Sequence, residues 1–327
     1  MSFDLKSYIQ LYNPHQETVD FLKARASRDA KPSFEDGVTA VREAAIKTSK
    51  DFGGNVDFSG IEKEILIPPS TTTDTLPITS YKPDTSERSS ALPIVVYFHG
   101  GGNVTKSRKT NENVCRILAN DVPCIVVNVE YRLAPEHKFP KNNEDAKRAV
   151  EWVAKNQEVV GGTSDSKLGV VGDSAGGRLA AVVCHEAYTL IDFAILVYPK
   201  VDYTKTYKST EEFRFGPLLP KKRSDWYAHQ YIKEDDRCLP RASVILNKDF
   251  SYLPPTLIIV AEHDQLRDGC YEYYEKLKAS GVTAQIELIK GVPHSFWSLP
   301  DNLCQNSSNS ASSHEIILCS KGIQIKM

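Results

Sequence analysis

From Lys167 to Val183 the chain reads KLGVVGDSAGGRLAAVV, with the pentapeptide Gly172-Asp173-Ser174-Ala175-Gly176 at its centre. The apolar run before the pentapeptide predicts a buried strand, and the apolar run after it predicts a buried helix. A Gly-x-Ser-x-Gly sequence between a strand and a helix is typical of a sharp turn that holds a serine hydroxyl above a sheet. A turn of small residues without any chemistry is the alternative, and the flanking strand and helix favour the first interpretation.

Predicted strands and helices alternate along the middle of the chain. Short apolar runs predict buried strands at residues 94–98, 124–129, 168–171, 193–198 and 256–261, and residues 284–289 alternate like a last strand. Helical periodicity between these runs predicts an α/β fold with a mostly parallel, doubly wound sheet. Two alternating segments, 61–67 and 76–81, predict an antiparallel pair at one edge of that sheet.

The remaining segments suggest how the chain is divided. Residues 1–55 are helical in character, with helix-like runs at 16–28 and 33–47, and they predict either a cap over a site or a helical hairpin on the surface. Residues 56–300 form the predicted main domain, in which 200–250 is too long for a simple connection and is predicted to cover a site. Residues 301–327 form a polar tail that is poor in helix signals.

Composition argues against several classes of function. Of the 327 residues 41% are apolar and 25% are charged, with a formal net charge of −2, as in ordinary globular proteins. This balance argues against a nucleic acid or an anionic membrane as the main partner. No apolar run reaches the ~18 residues of a membrane span, and the first residues do not resemble a signal peptide. The seven cysteines are scattered without a CxxC, which predicts reduced thiols in a cytoplasmic protein and no zinc site.

A run of glycines follows the predicted strand at 94–98, in the sequence His99-Gly100-Gly101-Gly102. Three glycines are unfavourable inside a helix or strand, but after a buried strand they let the backbone approach another group closely. In an acyl-transfer enzyme that group is the oxygen of the tetrahedral intermediate, which backbone N–H groups stabilise. A flexible loop is the alternative. A phosphate-binding loop is disfavoured because neither of the known glycine patterns for it is present.

A serine nucleophile needs a base, and the base needs a carboxylate that orients it. In this type of fold the three residues follow the order Ser, Asp/Glu, His, each at the C-terminal end of a strand. Ser174, Asp264 and His294 satisfy both the order and the placement. Glu262 and Asp268 are the nearest rivals of Asp264, and we predict that Asp268 caps the following helix instead.

Several other polar residues are given structural roles by the sequence. We predict that His99 braces the glycine loop and that His263 has a structural role, because it adjoins Asp264 and cannot be oriented by it across the site. The remaining histidines lack a position directly after a strand. Asn142 is predicted to cap a helix, with Asp145 at its third position, as in a capping box.

Together these motifs resemble the hormone-sensitive lipase family of α/β-hydrolases, especially its arylacetamide deacetylase-like and bacterial carboxylesterases. Between about residues 93 and 300, the resemblance rests on His99-Gly100-Gly101-Gly102, Tyr131-Arg132-Leu133-Ala134-Pro135-Glu136, Gly172-Asp173-Ser174-Ala175-Gly176, Asp264-x-Leu266-x-Asp268 and His294-Ser295-Phe296. It implies that Ser174 is the nucleophile, His294 the base and Asp264 its orienter. It also implies backbone N–H donors to the oxyanion at Gly101, Gly102 and Ala175.

The same resemblance implies that residues 1–55 and part of 200–250 form the cap, that no cofactor or metal is needed, and that a homodimer is possible. The chain departs from the family in three places. Asn103 follows the glycines, where an aromatic residue is usual. The first residues lack the apolar anchor of membrane-bound animal relatives, which implies a soluble location. A polar tract at 301–313 stands where the family normally ends in a helix.

These features predict a serine carboxylesterase that hydrolyses small or medium esters through an acyl-enzyme. A small-molecule receptor of the gibberellin-receptor type is one alternative, because those receptors resemble the family but have lost the catalytic histidine. The presence of His294 favours an enzyme. An amidase, deacetylase or lactonase on the same three residues is the other alternative, since the pocket selects the leaving group.

Overall fold

The computed structural model describes residues 3–27, 34–54, 56–70, 74–84 and 91–298, and the backbone of 315–318 and 323–326. Within these residues one sheet contains β1 (Ile61–Ile67), β2 (Leu76–Lys82), β3 (Ile94–Phe98), β4 (Ile125–Val129), β5 (Leu168–Asp173), β6 (Phe193–Val197), β7 (Thr256–His263) and β8 (Ala284–Pro293). The α-helices are α1 (Leu5–Tyr12), α2 (Gln16–Ala26), α3 (Val38–Phe52), α4 (Glu112–Asp121), α5 (Lys141–Lys155), α6 (Ala175–Glu186), α7 (Lys208–Glu212), α8 (Lys221–Tyr231) and α9 (Arg267–Ala279).

The strands of this sheet run in the order β1-β2-β4-β3-β5-β6-β7-β8. β1 and β2 are antiparallel to each other, and β2 is antiparallel to β4. All the pairs from β4 to β8 are parallel. The predicted mostly parallel sheet with an antiparallel pair at one edge is therefore confirmed. β4 lies outside β3 in the sheet, so β3 is the neighbour of β5. The strand order therefore reverses between β3 and β5. In folds of this kind ligands bind at the carboxyl ends of the strands at such a reversal.

Both faces of the sheet are covered, as the continuous apolar strands require. Along β3 the side chains of Val96 and Phe98 pack in one buried layer with the helices α5 and α6, while Val95 and Tyr97 pack with α4 on the opposite face. The alternation follows from the two-residue period of a strand. These two layers fix the carboxyl ends of the central strands, from which the functional loops leave.

The N-terminal helices pack against the long segment between β6 and β7. Tyr8, Phe21 and Leu22 form a small apolar cluster with Leu218. Farther along, α3 and α8 meet the loop after β3 in a second cluster. The helix-like run at 16–28 corresponds to α2, which begins at Gln16 as predicted. The run at 33–47 corresponds to α3, which is displaced by five residues. The division at residues 55 and 300 stays a prediction.

Two predicted helix caps are wrong. α5 begins at Lys141, so Asn142 lies inside its first turn and donates a hydrogen bond to Asn103 Oδ1 at 2.8 Å. α9 begins at Arg267, so Asp268 also lies inside the helix and accepts a hydrogen bond from the Ser209 N–H at 2.7 Å. In both cases the side chain forms a hydrogen bond with a distant segment and does not cap the N-terminus of its own helix.

The tail contains an antiparallel pair that the sequence did not predict. β9 (Glu315–Leu318) pairs with β10 (Ile323–Lys326), with Ile317 opposite Gln324. The polar tract at 301–313 lies outside the described residues. None of the helices in the described ranges combines the length and the apolar character needed to cross a bilayer.

Candidate active site

Ser174 lies at the tight turn between β5 and α6, with φ of 57° and ψ of −114°. This conformation is uncommon for a residue with a side chain and costs about 1–3 kcal/mol. The flanking glycines allow it, because a Cβ atom at Gly172 would lie 2.3 Å from the Gly176 carbonyl oxygen. A Cβ atom at Gly176 would lie 2.0 Å from the carbonyl oxygen of Phe98. Only glycine fits at either position, so the pentapeptide follows from the geometry of the turn.

His294 lies beside the Ser174 hydroxyl and Asp264 lies on the far side of the imidazole, so the structure brings together the three residues predicted from their order. His294 Nε2 is 2.9 Å from Ser174 Oγ, and His294 Nδ1 is 2.6 Å from Asp264 Oδ2. The other carboxylate oxygen accepts the Leu266 N–H at 3.0 Å, which fixes the orientation of Asp264. Because the carboxylate accepts, Nδ1 carries the proton and Nε2 is left as an acceptor for the serine hydroxyl. Asp264 and His294 are 1% and 3% exposed, so both side chains are shielded from water.

The ring of Tyr198 supports the imidazole from the side. Tyr198 directly follows the last residue of β6. Its ring centroid lies 4.6 Å from that of His294. It also packs edge-on against Phe296, at 5.4 Å. Tyr198 is fully buried, and burial raises its pKa well above the usual value. The sequence did not single out this residue, although it is the last residue of a predicted strand.

The glycine loop and the start of α6 together place three backbone N–H groups at the same cavity as the serine. Gly101, Gly102 and Ala175 line this cavity together with Ser174 and His294. None of the three N–H groups donates a hydrogen bond to another described residue. Gly101 and Gly102 have φ of 116° and 63°. A Cβ atom at Gly102 would meet the Tyr227 ring at 2.3 Å, so glycine is required where α8 packs onto the loop.

The side chain of Asp173 ties the glycine loop to β5. Its Oδ1 accepts hydrogen bonds from the Gly100 N–H at 2.8 Å and from the Tyr97 hydroxyl at 2.6 Å. His99 lies on the other side of the loop, where its Nδ1 donates to the Gly100 carbonyl at 2.7 Å and its ring stacks on Tyr131. Burial lowers the pKa of His99 to about 4, so the ring is neutral. His99 therefore braces the loop as predicted, whereas Asp173 was missed.

Asn103 replaces the usual aromatic residue with polar contacts. Its φ is 64°, a conformation that asparagine adopts more readily than most residues. The side chain is buried, accepts from Asn142 Nδ2 at 2.8 Å and donates to the Tyr203 hydroxyl at 3.2 Å. Its carbonyl accepts the Ala134 N–H at 2.8 Å. The residue after the glycines is thus linked to α5 and to the segment after β6.

A cavity of about 500 Å³ opens above the serine. Its floor contains Gly101, Gly102, Ser174 and His294, and its walls come from α2, α3 and the segment around residues 218–228. His263 lies outside this lining; its Nδ1 is 2.6 Å from the Tyr8 hydroxyl, which is a structural contact as predicted. In the described part of the chain, no group of three His, Cys, Asp or Glu side chains is placed to hold a metal ion.

A family model described as alpha/beta hydrolase fold matches residues 95–298, which include the glycine loop, the serine turn and His294. The chain belongs to this α/β-hydrolase family. A solved structure, the Pyrobaculum calidifontis esterase, superimposes on this α/β-hydrolase with a TM-score of 0.75 at 38% identity and covers 85% of this chain and 89% of that one. The predicted fold and the predicted hormone-sensitive lipase-like family are confirmed.

Curated relatives of this α/β-hydrolase carry esterase names. The ethyl acetate hydrolase of Pseudomonas putida is 31% identical over 90% of this chain and 91% of that protein. The carboxylic ester hydrolase LipN of Mycobacterium tuberculosis is 34% identical over 68% of this chain, which spans 61% of the length of LipN. These similarities confirm the prediction of a hydrolase of the carboxylic ester class.

Proposed function

We propose that this α/β-hydrolase is a serine carboxylesterase that cleaves small or medium esters through an acyl-enzyme on Ser174. The observation that carries the proposal is the continuous contact from Ser174 Oγ to His294 Nε2, at 2.9 Å, and from His294 Nδ1 to Asp264, at 2.6 Å. Such a chain of contacts activates a hydroxyl that is otherwise a poor nucleophile. The esterase names of the relatives support esters as the substrate class.

In the first step His294 Nε2 accepts the serine proton as Ser174 Oγ attacks the ester carbonyl carbon. The carbonyl oxygen becomes an oxyanion, to which the N–H groups of Gly101, Gly102 and Ala175 donate. Each such donor contributes about 3 kcal/mol to the transition state, and the N-terminus of α6 adds a favourable dipole. The carbon–oxygen bond to the alcohol then breaks, and His294 gives its proton to the leaving oxygen.

In the second step water replaces the alcohol. His294 accepts a proton from the water, whose oxygen attacks the acyl carbonyl, and the same N–H groups stabilise the second oxyanion. Collapse of this intermediate releases the carboxylic acid and returns the proton to Ser174. Asp264 keeps the imidazole oriented and stabilises its positive charge in both steps.

We further propose that α2, α3 and part of residues 200–250 act as the cap that selects the substrate. The proposal is supported by their contribution to the walls of the cavity above Ser174. A homodimer, a cytoplasmic location and the absence of a nucleic-acid partner stay predictions. An amide or a lactone would react by the same two steps, so amide and lactone substrates belong in the assays.

Replacement of the nucleophile tests the proposal. We expect Ser174→Ala to lower kcat for p-nitrophenyl butyrate by at least about 10³-fold, because no acyl-enzyme can form. The control is Ser280→Ala, at the C-terminal end of α9, and circular dichroism checks that both variants fold. Turnover by folded Ser174→Ala at the wild-type rate would contradict the proposal.

The receptor alternative gives a different result in the same experiment. A receptor would bind small molecules without hydrolysing any ester, amide or lactone. It would also fail to react with a fluorophosphonate, which labels activated serines. We expect the wild-type protein to be labelled and Ser174→Ala not to be labelled.

A further inference from the structure

Five cations line the cavity without an acidic partner. They are Lys200, Lys106, Arg25, Arg223 and Lys47, and none forms an ion pair with a carboxylate among the described residues. Lys106 Nζ donates to Ser298 Oγ at 3.0 Å, a neutral partner. The cavity therefore contains positive charge that the described protein leaves unbalanced at short range.

Arginines outside the cavity are mostly paired. Arg132 lies 2.8 Å from Asp145, and Arg116 lies 2.8 Å from Glu62. Withdrawal of a charge from water without a partner costs free energy, which a bound counter-ion recovers. The contrast indicates that the cations of the cavity are placed for a ligand.

Lys200 is the cation attached most directly to the serine turn. It follows Pro199 at the end of β6, and its backbone N–H donates to the Ser174 carbonyl at 3.1 Å. Its ammonium group packs over the Tyr203 ring, 5.3 Å from the centroid. Burial lowers the pKa of Lys200, with the negative charge of Asp202 opposing this effect. A bound carboxylate would favour the charged ammonium further.

The carboxylates near Lys200 are engaged by other groups. Asp202 accepts hydrogen bonds from the Thr204 N–H at 2.7 Å and from the Tyr207 hydroxyl at 2.9 Å. Asp264 is committed to His294. The protein thus holds a lysine ammonium at the cavity and directs the neighbouring acids elsewhere.

Arg25 and Arg223 form a second positive centre on the cap side, on α2 and α8. Burial and the nearby charge of Arg223 lower the pKa of Arg25 to about 10, so the two guanidinium groups repel each other. Arg223 Nη1 donates to the Leu218 carbonyl at 3.1 Å, but its buried Nε has no hydrogen-bond partner among the described residues. An anion near this pair would relieve the repulsion.

Acidic side chains do not cancel this charge. Five cations line the cavity, against the three acids Glu43, Asp51 and Asp173. Asp173 is held by Gly100 and Tyr97. The other two acids lie on α3.

We propose that the cavity selects esters that bear a carboxylate, with Lys200 as the cation beside the nucleophile and Arg25 and Arg223 as the pair on the cap. The proposal rests on the proposed function, since Ser174 must cleave the bound ester. When the carboxylate lies on the acyl side, hydrolysis by water releases an alcohol and a dicarboxylate. When it lies on the alcohol side, hydrolysis releases a carboxylic acid and a hydroxy acid.

Two matched pairs of substrates test this selection. Monomethyl glutarate and methyl pentanoate differ in charge on the acyl side, and 4-acetoxybutanoate and butyl acetate differ in charge on the alcohol side. We expect a higher kcat/KM for the anionic ester of at least one pair, which also shows which side carries the charge. Added salt should reduce this preference, because it screens the attraction. Preference for the neutral ester in both pairs would overturn the proposal.

Lys200→Met removes the charge and keeps the length of the side chain. We expect the ratio of kcat/KM for the anionic ester to that for the neutral ester to fall about ten- to one-hundredfold, as for a lost hydrogen bond to a charged group. Arg223→Met should lower the ratio in the same direction. The control is Lys205→Met, because Lys205 lies outside the cavity lining and pairs with Glu272. An equal ratio in Lys200→Met and wild type would refute the role of Lys200.

Failure of the proposed function would look different. If the wild-type protein hydrolyses no ester at all, calorimetric binding of glutarate tests the cavity separately. Glutarate that binds wild type and Ser174→Ala but binds Lys200→Met at least about tenfold more weakly would support the anion site alone. No binding of glutarate would overturn it. Hydrolysis of neutral esters without a preference for anionic ones would leave the esterase intact and reject the substrate class.

Discussion

Single residues around Ser174 are determined by backbone geometry before any chemistry is considered. The left-handed φ of Ser174, at 57°, requires a turn in which Gly172 and Gly176 touch backbone atoms at distances that exclude a side chain. The strain of about 1–3 kcal/mol is stored where the hydroxyl must point away from the sheet. Asp173, in the same turn, accepts a hydrogen bond from the Gly100 N–H and so fixes the glycine loop.

Asp264→Asn tests whether the carboxylate orients the imidazole. Asparagine keeps the size of the side chain, but its amide can donate to Nδ1 and favour the wrong tautomer of His294. We therefore expect kcat for a p-nitrophenyl ester to fall about 10³–10⁴-fold, with a smaller change in KM. Steady-state kinetics measures both constants.

Asp268→Asn is the matched control for that variant. Asp268 lies four residues farther along the same strand-to-helix connection and accepts a hydrogen bond from the Ser209 N–H, which an asparagine oxygen can also accept. We expect its kcat to stay close to the wild-type value. A large loss in Asp268→Asn with a small loss in Asp264→Asn would reverse the assignment of the carboxylate.

The sequence identified the three residues that meet at the serine turn better than the residues that surround them. Ser174, Asp264 and His294 were found because the chemistry dictates their types and the fold dictates their order. Tyr198 and the partners of Asn103 depend on contacts between distant segments, such as that from Asn103 to Tyr203, which local patterns do not contain. The caps assigned to Asn142 and Asp268 failed for the same reason.

Among the secondary-structure elements, α3 lines the cavity, and an arginine on it bonds to two loops. Arg42 Nε donates to the Val104 carbonyl at 2.9 Å, and Nη2 donates to the Ala134 carbonyl at 3.0 Å. Its guanidinium group also binds both carboxylate oxygens of Glu136, at 2.7 and 2.8 Å. This single side chain joins α3 to the loop after the glycines and to the loop after β4.

Arg42→Met should loosen α3 and the wall of the cavity. We expect a lower Tm and a higher KM for esters, because two buried carbonyl groups lose their donor. The control is Arg214→Met, which breaks an exposed pair with Glu211. Equal effects of the two substitutions on Tm and KM would show that Arg42 does not anchor the helix.

The contact between Arg42 and Glu136 makes the stability of the protein depend on pH. Arg42 lowers the pKa of Glu136 to about 2. Its contribution to stability is complete above the ordinary glutamate pKa of about 4.3 and is lost as the pH falls toward 2. The difference in Tm between wild type and Arg42→Met should therefore shrink in acid.

The sequence predicted whether a segment is a helix or a strand more reliably than it predicted where that helix or strand begins and ends. The strand predicted at 256–261 continues to His263, because β8 pairs with it beyond a bulge at Ala261 and His263. The strand order, with β4 outside β3, was not predicted, since nothing in a single strand sequence specifies its neighbours. The helix α1 was not separated from the rest of residues 1–55, because it is defined by its contacts with the segment between β6 and β7.

Three buried or partly buried histidines in the described part of the chain oppose folding when they are protonated. Burial lowers the pKa of His99 and of His185 to about 4, and it also lowers the pKa of His263. A histidine in the unfolded chain has a pKa of about 6.5, so the unfolded state binds more protons between these values. The free energy of unfolding should therefore decrease as the pH falls from about 6.5 to 4, by roughly 2–3 kcal/mol at most for each of His99 and His185.

Urea unfolding at several pH values between 7.5 and 4 measures this loss. In His185→Gln one of the three groups is removed, so we expect a smaller decrease of the unfolding free energy over the same range. His137→Gln is the control, because His137 is exposed. A pH dependence that is identical in wild type and His185→Gln would contradict the account of that histidine.

The most direct test of the central claim is the mass of the trapped acyl-enzyme. The wild-type protein is mixed with p-nitrophenyl acetate and quenched in acid, and the intact mass and the modified peptide are determined by mass spectrometry. The account predicts one acetyl group per chain on Ser174, and none at that position in Ser174→Ala. Ester turnover with the acetyl group on another residue, or a full burst of product in Ser174→Ala, would contradict it.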